Sequence, residues 1–224
     1  MDDDLVNVLV HVKKNQVLMF QDRGFSLPEA EAAWLALAPD TAKASLRQLD
    51  EHGRSVALDA LYTEPRTVWV YYATAMASFG VDDVEAMVAE ATERRRPHQR
   101  ILLICYTRPG SQAWEALNSY DVEVWTYAQL AINPTKHFLT QRHIALTPEE
   151  KRTFLATSKI DPQCLPLIYA SDPTVRWHGW HVGQILRIDR SNLVSFAVVG
   201  STFYRLVVPE PLSDHATKVT TRLP

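Results

Sequence analysis

The stretch HFLTQRHIALTPEEKRTFLATSKIDPQCLPLIYASDPTVRWHGWHVGQILRIDR, residues 137–190, followed by FYRLVV at 203–208, predicts a small folded module. Thr147 and Glu150 have the spacing of a capping box, in which a hydroxyl and a carboxylate each bind a backbone amide at the start of a helix. Pro148 between them suits the first helical turn, because the amide that proline lacks has no helical partner there. We therefore expect a helix to begin at about Pro148.

A second start signal lies further along the same stretch. Asp172 is a good N-cap residue, and Pro173 follows it at the first helical position. Gly179 supplies the residue that tolerates positive φ at a helix end. These residues predict a short helix over about Pro173 to His178.

The remainder of the module predicts strands. Val182 and Gly183 make a turn into a strand over 184–189, and FAVVGSTFYRLVV at 196–208 contains two further β-rich runs that are interrupted at Gly200. Two short helices on a small sheet form a module of about the smallest size that buries its own core.

The order of these pieces resembles the assembly domain of subunit five of eukaryotic RNA polymerases, which polymerases I, II and III share and which has a counterpart in archaeal polymerases. The residues that carry the resemblance, in chain order, are His137, Leu139, Arg142, His143, Leu146, Glu149, Glu150, Lys151, Leu165, Pro166, Asp172, Pro173, Gly179, Gly183, Ile188, Arg190, Tyr204 and Arg205. No single piece is specific, but so many weak signals in the right order are hard to obtain by chance.

The resemblance implies an α/β N-terminal jaw domain over 1–136 and a small α+β C-terminal assembly domain over 137–208. Residues 209–224 run past the end of the resemblance, and their prolines, serine and threonines predict a flexible tail. It implies a non-catalytic subunit of a multisubunit DNA-dependent RNA polymerase, working in the nucleus, or in the virion or viral factory if the source is a large DNA virus. The assembly domain would dock on the largest subunit, and the jaw domain would lie near downstream duplex DNA. The residues to which the resemblance assigns contact with the largest subunit are His143, Asp172, Pro173, Gly179, Gly183, Arg190, Tyr204 and Arg205.

The N-terminal part also predicts an α/β fold from its own pattern of apolar residues. The expected helices are one through Leu5 to Phe20 with Gly24 as its stop, one after a capping box at Ser26 to Glu29 that runs through Trp34, Leu35 and Leu37, one over Thr41 to Leu49 that ends at Gly53, and two over Val81 to Glu93 and Ser111 to Ser119. The expected strands are 55–62, 67–73, 100–106 and 122–130. Strands that alternate with helices in the second half imply a partly parallel sheet.

Two basic features of this part are candidates for contact with DNA. In the turn YTRPGSQA at 106–113, the resemblance places Arg108, Ser111 and Gln112 near downstream DNA, and Ser and Gln can bind phosphates without reading sequence. The second feature is the cluster Arg94, Arg95, Arg96 and Arg100. We interpret it as a solvated helix end, where cations offset the helix dipole, with phosphate contact as the alternative.

Charge and composition limit the possible partners. Residues 1–136 carry 13 Lys and Arg against 19 Asp and Glu, a net charge of -6, whereas residues 137–208 carry 8 against 5, a net charge of +3. This balance argues against a free-standing nucleic-acid binder, which normally has a basic domain or stripe. No apolar run approaches the length of a membrane helix, so we expect no membrane partner.

Two alternatives remain open: a free regulatory binding protein with the same two domains, and a nuclease of restriction-endonuclease type. A nuclease needs carboxylates that converge on a metal ion. Asp82, Asp83 and Glu85 fall at a predicted helix start, where they complement the dipole, and Asp121 and Glu123 fall at a strand start without a following lysine. We interpret all five as solvated surface residues.

The sequence predicts neither a metal site nor a cofactor. His137 and His143, and His178 and His181, lack a cysteine or carboxylate at ligand spacing. There is no Gly-rich phosphate loop and no nucleophilic serine motif. Cys105 and Cys164 are lone thiols, and Cys105 lies in an apolar run that predicts a buried, reduced side chain.

Overall fold

The computed structural model describes residues 3–49, 55–73, 78–93, 100–189 and 202–210. The chain divides into two compact units, unit 1 over Met1–Ile132 and unit 2 over Asn133–Pro224. The division predicted from the sequence lies after residue 136. Within the described residues, no helix combines the length and apolarity that a membrane crossing requires.

Unit 1 is an α/β structure with a four-stranded sheet. Its helices are α1 Asp3–Asp22, α2 Glu29–Ala36, α3 Pro39–Leu46, α4 Val81–Glu93, α5 Ser111–Leu117 and α6 Tyr127–Leu130. Its strands are β1 Ala60–Tyr62, β2 Val68–Ala73, β3 Arg100–Cys105 and β4 Val122–Thr126, and they lie side by side in that order. Strand β1 is antiparallel to β2, whereas β2, β3 and β4 are parallel. The predicted partly parallel sheet is therefore confirmed.

Both faces of this sheet are covered. One face of β3, with Ile101 and Leu103, packs in a core cluster with Met87 of α4 and Leu117 of α5. On the other face, Leu102 and its neighbours are equally buried, and Gln16 of α1 accepts a hydrogen bond from the Tyr72 hydroxyl at 3.4 Å. A sheet buried on both sides explains why β3 is an unbroken apolar run.

The predicted capping box at the start of α2 is wrong. The N-cap residue is Pro28, which makes no side-chain cap bond, and the Ser26 hydroxyl instead donates to the Glu64 carboxylate at 3.3 Å. The helix ends at Ala36, because the backbone of Leu37 is extended. Ser26 lies too far before the first helical residue to cap it.

Helix α3 also stops earlier than predicted. Its last residue, Leu46, is fully buried, whereas Leu49 is 54% exposed and takes part in an isolated β-bridge with Ser55. An apolar residue that has no core to pack on does not hold a further helical turn in place. The predicted stop at Gly53 lies outside the described residues.

Two predicted strands are only partly strands. The run 55–62 begins with a 3-10 turn over Val56–Leu58, and only its last three residues pair as β1. The run 122–130 leaves the sheet at Thr126, whose hydroxyl accepts from the Gln129 amide in a capping box that starts α6. The Thr-x-x-Gln spacing was a readable signal for this helix.

Unit 2 is a mixed α+β structure. Its helices are α7 Pro148–Ser158 and α8 Pro173–His178, with 3-10 turns at Pro134–Lys136 and Pro162–Cys164. Its strands are β5 Arg142–Ala145, β6 Leu167–Tyr169, β7 Ile185–Asp189 and β8 Thr202–Val208, and their order in the sheet is β5-β7-β8-β6. Strand β7 is antiparallel to both neighbours, and β6 is parallel to β8.

Both predicted helices of unit 2 are confirmed. The Thr147 hydroxyl accepts from the Glu150 amide at 3.2 Å, and the Glu150 carboxylate accepts from the Thr147 amide at 2.8 Å. Asp172 caps α8, and Gly179 ends it with φ 65°. The predicted turn is present with Gly183 at φ 89°.

Strands β5 and β6 were not predicted, and part of the sequence lies beyond what the structure describes. In β5 no residue is fully buried, and β6 has three residues, so neither shows a readable alternation. The predicted run 196–199, Arg190 and the tail from 211 onwards are outside the described residues. Strand β8 confirms the second of the two β-rich runs.

We predict that Gly183→Ala destabilises unit 2 by about 1–2 kcal/mol, because a residue with a Cβ is strained at this positive φ. A Cβ at Gly183 would meet no atom within 4 Å, so the cost comes from the backbone alone. The matched control is Gly110→Ala, at a glycine with φ -65° and equally open space. Urea unfolding of the full chain measures both, and equal effects of the two substitutions would contradict the prediction.

Candidate functional site

The sheet of unit 2 is covered unequally on its two faces. On one face, α8 contributes Val175 to a cluster with Ile168, Leu186 and Val207. Because successive residues of a strand point to opposite faces, this face also carries His143, Ile188 and Arg205. All three line a pocket on this face, together with the first residues of α8.

The opposite face is occupied by α7. The Phe154 ring stacks on the Tyr204 ring with 4.1 Å between centroids. Lys151 of the same helix donates from Nζ to the Gly183 carbonyl at 2.8 Å. Helix α7 thus ties together β8 and the turn before β7.

The pocket has a volume of about 220 Å³. The residues that line this pocket are Leu139, Thr140, Gln141, His143, Ile168, Asp172, Thr174, Ile188 and Arg205. Ile168 and Ile188 are 6% and 3% exposed and give the pocket apolar walls. The structure therefore brings together His143, Asp172 and Arg205 of the predicted contact residues.

The polar groups of the pocket differ in how they are bound. The Asp172 carboxylate accepts from the amides of Thr174 at 2.8 Å and Val175 at 3.4 Å. His143 Nδ1 lies 2.7 Å from the Gln141 carbonyl. The Arg205 guanidinium donates to the Leu167 carbonyl at 3.4 Å, and within the described ranges it has no carboxylate within 4.0 Å. The pocket thus offers a cation that has no anionic partner there.

The other predicted contact residues lie outside the pocket. Pro173 and Gly179 begin and end α8, and Gly183 forms the turn before β7, so all three shape the backbone. Tyr204 lies on the α7 face of the sheet, in its stack with Phe154. Arg190 lies outside the described residues.

Exposed apolar side chains that sequence reasoning did not assign to a partner contact precede or adjoin the pocket. Phe138 is 86% exposed, and Leu139, which follows it and lines the pocket, is 58% exposed. Phe203 is 39% exposed and pairs in register with Ile188. Large exposed apolar side chains beside a pocket are typical of an interaction surface. The sequence signal for this surface was the pair of adjacent apolar residues, Phe138 and Leu139, in a polar segment.

In unit 1, the turn after β3 presents the three residues assigned to the neighbourhood of DNA. Arg108, Ser111 and Gln112 are all exposed, and Ser111 begins α5. The Arg108 guanidinium lies 5.4 Å from the centroid of the Trp114 ring, in a cation–π contact. This contact holds the cation against α5 while its outer side faces solvent.

The candidate carboxylates of unit 1 do not converge. Helix α4 follows the carboxyl end of β2, and Asp83 accepts there from the Gly80 amide at 2.7 Å. Asp121 and Glu123 lie at the amino end of β4, which runs parallel to β2 and β3. The two sets of carboxylates therefore lie at opposite ends of the parallel strands. Within the part of the chain that the structure describes, no group of three or more His, Cys, Asp or Glu side chains could hold a metal ion.

Glu123 is a structural ion-pair residue, and its interpretation as a solvated surface residue is wrong. Its side chain is 16% exposed and accepts from both Nη atoms of Arg23 at 2.9 and 2.7 Å. Arg100 at 3.3 Å and the Trp125 indole at 2.7 Å complete its partners. Burial by itself would raise the pKa of Glu123, but the Arg23 and Arg100 charges and these hydrogen bonds hold it well below its usual range.

We predict that Glu123→Gln destabilises unit 1 by about 3 kcal/mol, because it removes the Glu123 charge from beside the Arg23 guanidinium, which is 5% exposed. The matched control is Asp121→Asn, at a side chain that is 68% exposed and 3.9 Å from Arg100, with an expected cost below about 1 kcal/mol. Urea unfolding at pH 7 measures both.

The same pair predicts a pH dependence with a definite sign. A carboxylate whose pKa is lowered on folding stabilises the protein above its unfolded pKa of about 4.3. This contribution is lost as the pH falls towards the folded pKa, so the difference between the wild type and Glu123→Gln should shrink below about pH 4. A constant difference across that range would show that the charge of Glu123 does not matter.

The remaining sequence candidates are structural or outside the described residues. Arg100 donates to the Glu123 carboxylate, so in this structure its partner is a carboxylate within the chain. Arg94, Arg95 and Arg96 lie outside the described residues. The His178 ring stacks on Trp180 with 4.3 Å between centroids. Cys105 is confirmed as buried, and burial raises the pKa of its thiol to about 11, whereas Cys164 is exposed.

Comparison with known families gives a match over unit 2. The family model described as RNA polymerase Rpb5, C-terminal domain, matches residues 132–207. This range covers both helices and all four strands of the unit except the final residue of β8.

Curated proteins match over longer ranges. DNA-directed RNA polymerase subunit 5-like protein 1 of Arabidopsis thaliana is 25% identical over 87% of this chain and 94% of its own length. DNA-directed RNA polymerases I, II, and III subunit RPABC1 of Caenorhabditis elegans is 25% identical over 92% of this chain and 99% of its own length. DNA-directed RNA polymerase subunit Rpo5 of Methanothrix thermoacetophila is 39% identical over 72 residues, which are 32% of this chain and 88% of that protein.

Proposed function

The chain belongs to the subunit 5 family of DNA-directed RNA polymerases, and from this premise we propose that its two units divide two tasks. The protein is a non-catalytic, structural subunit that assembles with other polymerase subunits. In our proposal, unit 2 is the assembly domain and docks on the largest subunit. Unit 1 is the jaw domain and contributes to the wall beside the entering duplex DNA.

The observation that carries the docking proposal is the extent of the archaeal match. The match to that polymerase subunit spans 72 residues, which are 88% of its length, so a subunit of this family can consist of little more than one domain of this size. The Rpb5 C-terminal domain model matches a segment of similar length in this chain, residues 132–207. The pocket and the exposed Phe138 and Leu139 give unit 2 a surface suited to a protein partner. We therefore assign assembly to unit 2.

We predict that residues 133–224 suffice for assembly. Each unit is co-expressed with the largest subunit, and the complex is recovered through a tag on the large subunit. The fragment 133–224 should be recovered at a ratio close to that of the full chain, and the fragment 1–132 should be absent. Recovery of the fragment 1–132 alone would contradict the assignment.

The proposed contact with DNA rests on an exposed turn in an acidic unit. Arg108, Ser111 and Gln112 offer one cation and two hydrogen-bonding side chains to a phosphate backbone. Because residues 1–136 carry a net charge of -6, unit 1 alone should bind duplex weakly. When assembly holds it beside DNA, a high effective concentration makes even a few contacts effective.

We predict that Arg108→Glu leaves assembly intact and shortens the lifetime of promoter or elongation complexes. The effect should grow as salt is lowered, because it replaces an attraction to phosphate by a repulsion. The control is Lys43→Glu, the same reversal of charge on α3. If the Arg108→Glu complexes had the same lifetimes as the wild type across a salt series, the assignment of this turn to DNA contact would be wrong.

The geometry does not favour the nuclease alternative. The carboxylates lie at opposite ends of the parallel strands and do not converge, and Glu123 is bound by Arg23. A free regulatory binding protein would not be recovered in a stoichiometric complex with polymerase subunits. We place the protein in the nucleus, or in the virion or viral factory if its source is a large DNA virus.

A further inference from the structure

The pocket of unit 2 combines features that together select a ligand. Its walls include the nearly buried Ile168 and Ile188, and its rim carries the exposed Leu139. Arg205 and Asp172 also line it, yet they make no ion pair with each other, since no guanidinium nitrogen lies within 4.0 Å of the carboxylate. An apolar cavity with separated polar groups at its rim suits a ligand in which an apolar side chain stands next to a polar one.

The two charges of the pocket are not equally available. Asp172 accepts from two backbone amides at the start of α8, so its negative charge is already compensated. Among the residues that the structure describes, Arg205 has only the Leu167 carbonyl as a hydrogen-bond partner, at 3.4 Å. Covering this guanidinium with a partner costs free energy unless the partner supplies a carboxylate, because a desolvated charge needs a counter-charge.

The neighbouring edge of the sheet is partly closed to an added strand. Among the described strands β6 lies at the edge, and its Tyr169 carbonyl accepts from the Asp172 amide at 3.0 Å. With this carbonyl occupied, a partner strand would lose one bond of the backbone ladder that strand addition provides. This favours recognition through side chains that enter the pocket.

We propose that this pocket receives a segment of the largest subunit in which an apolar side chain stands beside an Asp or Glu. The apolar side chain packs on Ile168 and Ile188, and the carboxylate binds the Arg205 guanidinium. The net charge of +3 over residues 137–208 favours the approach of an acidic segment. This inference rests on the proposed docking of unit 2 on the largest subunit and names the chemistry of the contact.

The test uses a matched pair of substitutions at the rim. Leu139→Asp and Leu139→Lys remove the same apolar side chain from a position that is 58% exposed, so neither should impair folding. They place charges of opposite sign at the same position. Against an acidic segment, the dissociation constant of Leu139→Asp should exceed that of Leu139→Lys by roughly tenfold at low salt, and the difference should shrink as salt rises.

The measurement is the binding of the full chain to the co-expressed and purified largest subunit across a salt series. Arg205→Gln should weaken binding by roughly tenfold. Arg152→Glu, on α7 at the opposite face, should change it little. If the wild type fails to bind the largest subunit, the proposed function fails. If the wild type binds but the Asp and Lys variants bind alike, or the Asp variant binds more tightly, the acidic segment is excluded and docking stands.

Discussion

The short length of α8 is the constraint on which the interaction surface of unit 2 depends. Asp172 and Pro173 start the helix and Gly179 ends it after six residues, so it is about 9 Å long. A sheet of four strands is about 14 Å wide between its outer strands. A helix of this length cannot reach across all four strands. Its first residues, Asp172 and Thr174, line the pocket together with Ile188 and Arg205.

In unit 1 the buried charges hold elements together and perform no chemistry. Lys13 is fully buried, and its Nζ donates to the Glu31 carboxylate at 2.7 and 2.9 Å, which fixes α2 against α1. Burial lowers the pKa of Lys13, and the Glu31 charge opposes that shift. Glu123 of β4 likewise binds Arg23, the residue that follows α1. Any contact of unit 1 with a partner is therefore made by exposed residues. We propose duplex DNA as the partner of the turn that contains Arg108.

Local signals in the sequence predicted those elements whose start or stop depends on neighbouring residues. Helices α7 and α8 were predicted to begin where they do, because caps, proline and glycine act within a few positions. Strand β6 was missed because it is three residues long and pairs with β8, almost forty residues further along the chain. The role of Glu123 was missed for a similar reason, since Arg23 is 100 residues away in sequence. The three residues that share the pocket came from family resemblance, and no spacing in the sequence predicts a pocket.

The central claim is that this chain is a constituent of a polymerase. It is tested most directly by affinity purification of the tagged full chain from its native source, with quantitative mass spectrometry of the recovered proteins. We expect the largest polymerase subunit and further polymerase subunits in amounts equal to the tagged chain, in a complex that persists through gel filtration. Recovery of the chain alone, or with partners that include no large polymerase subunit, would contradict the claim.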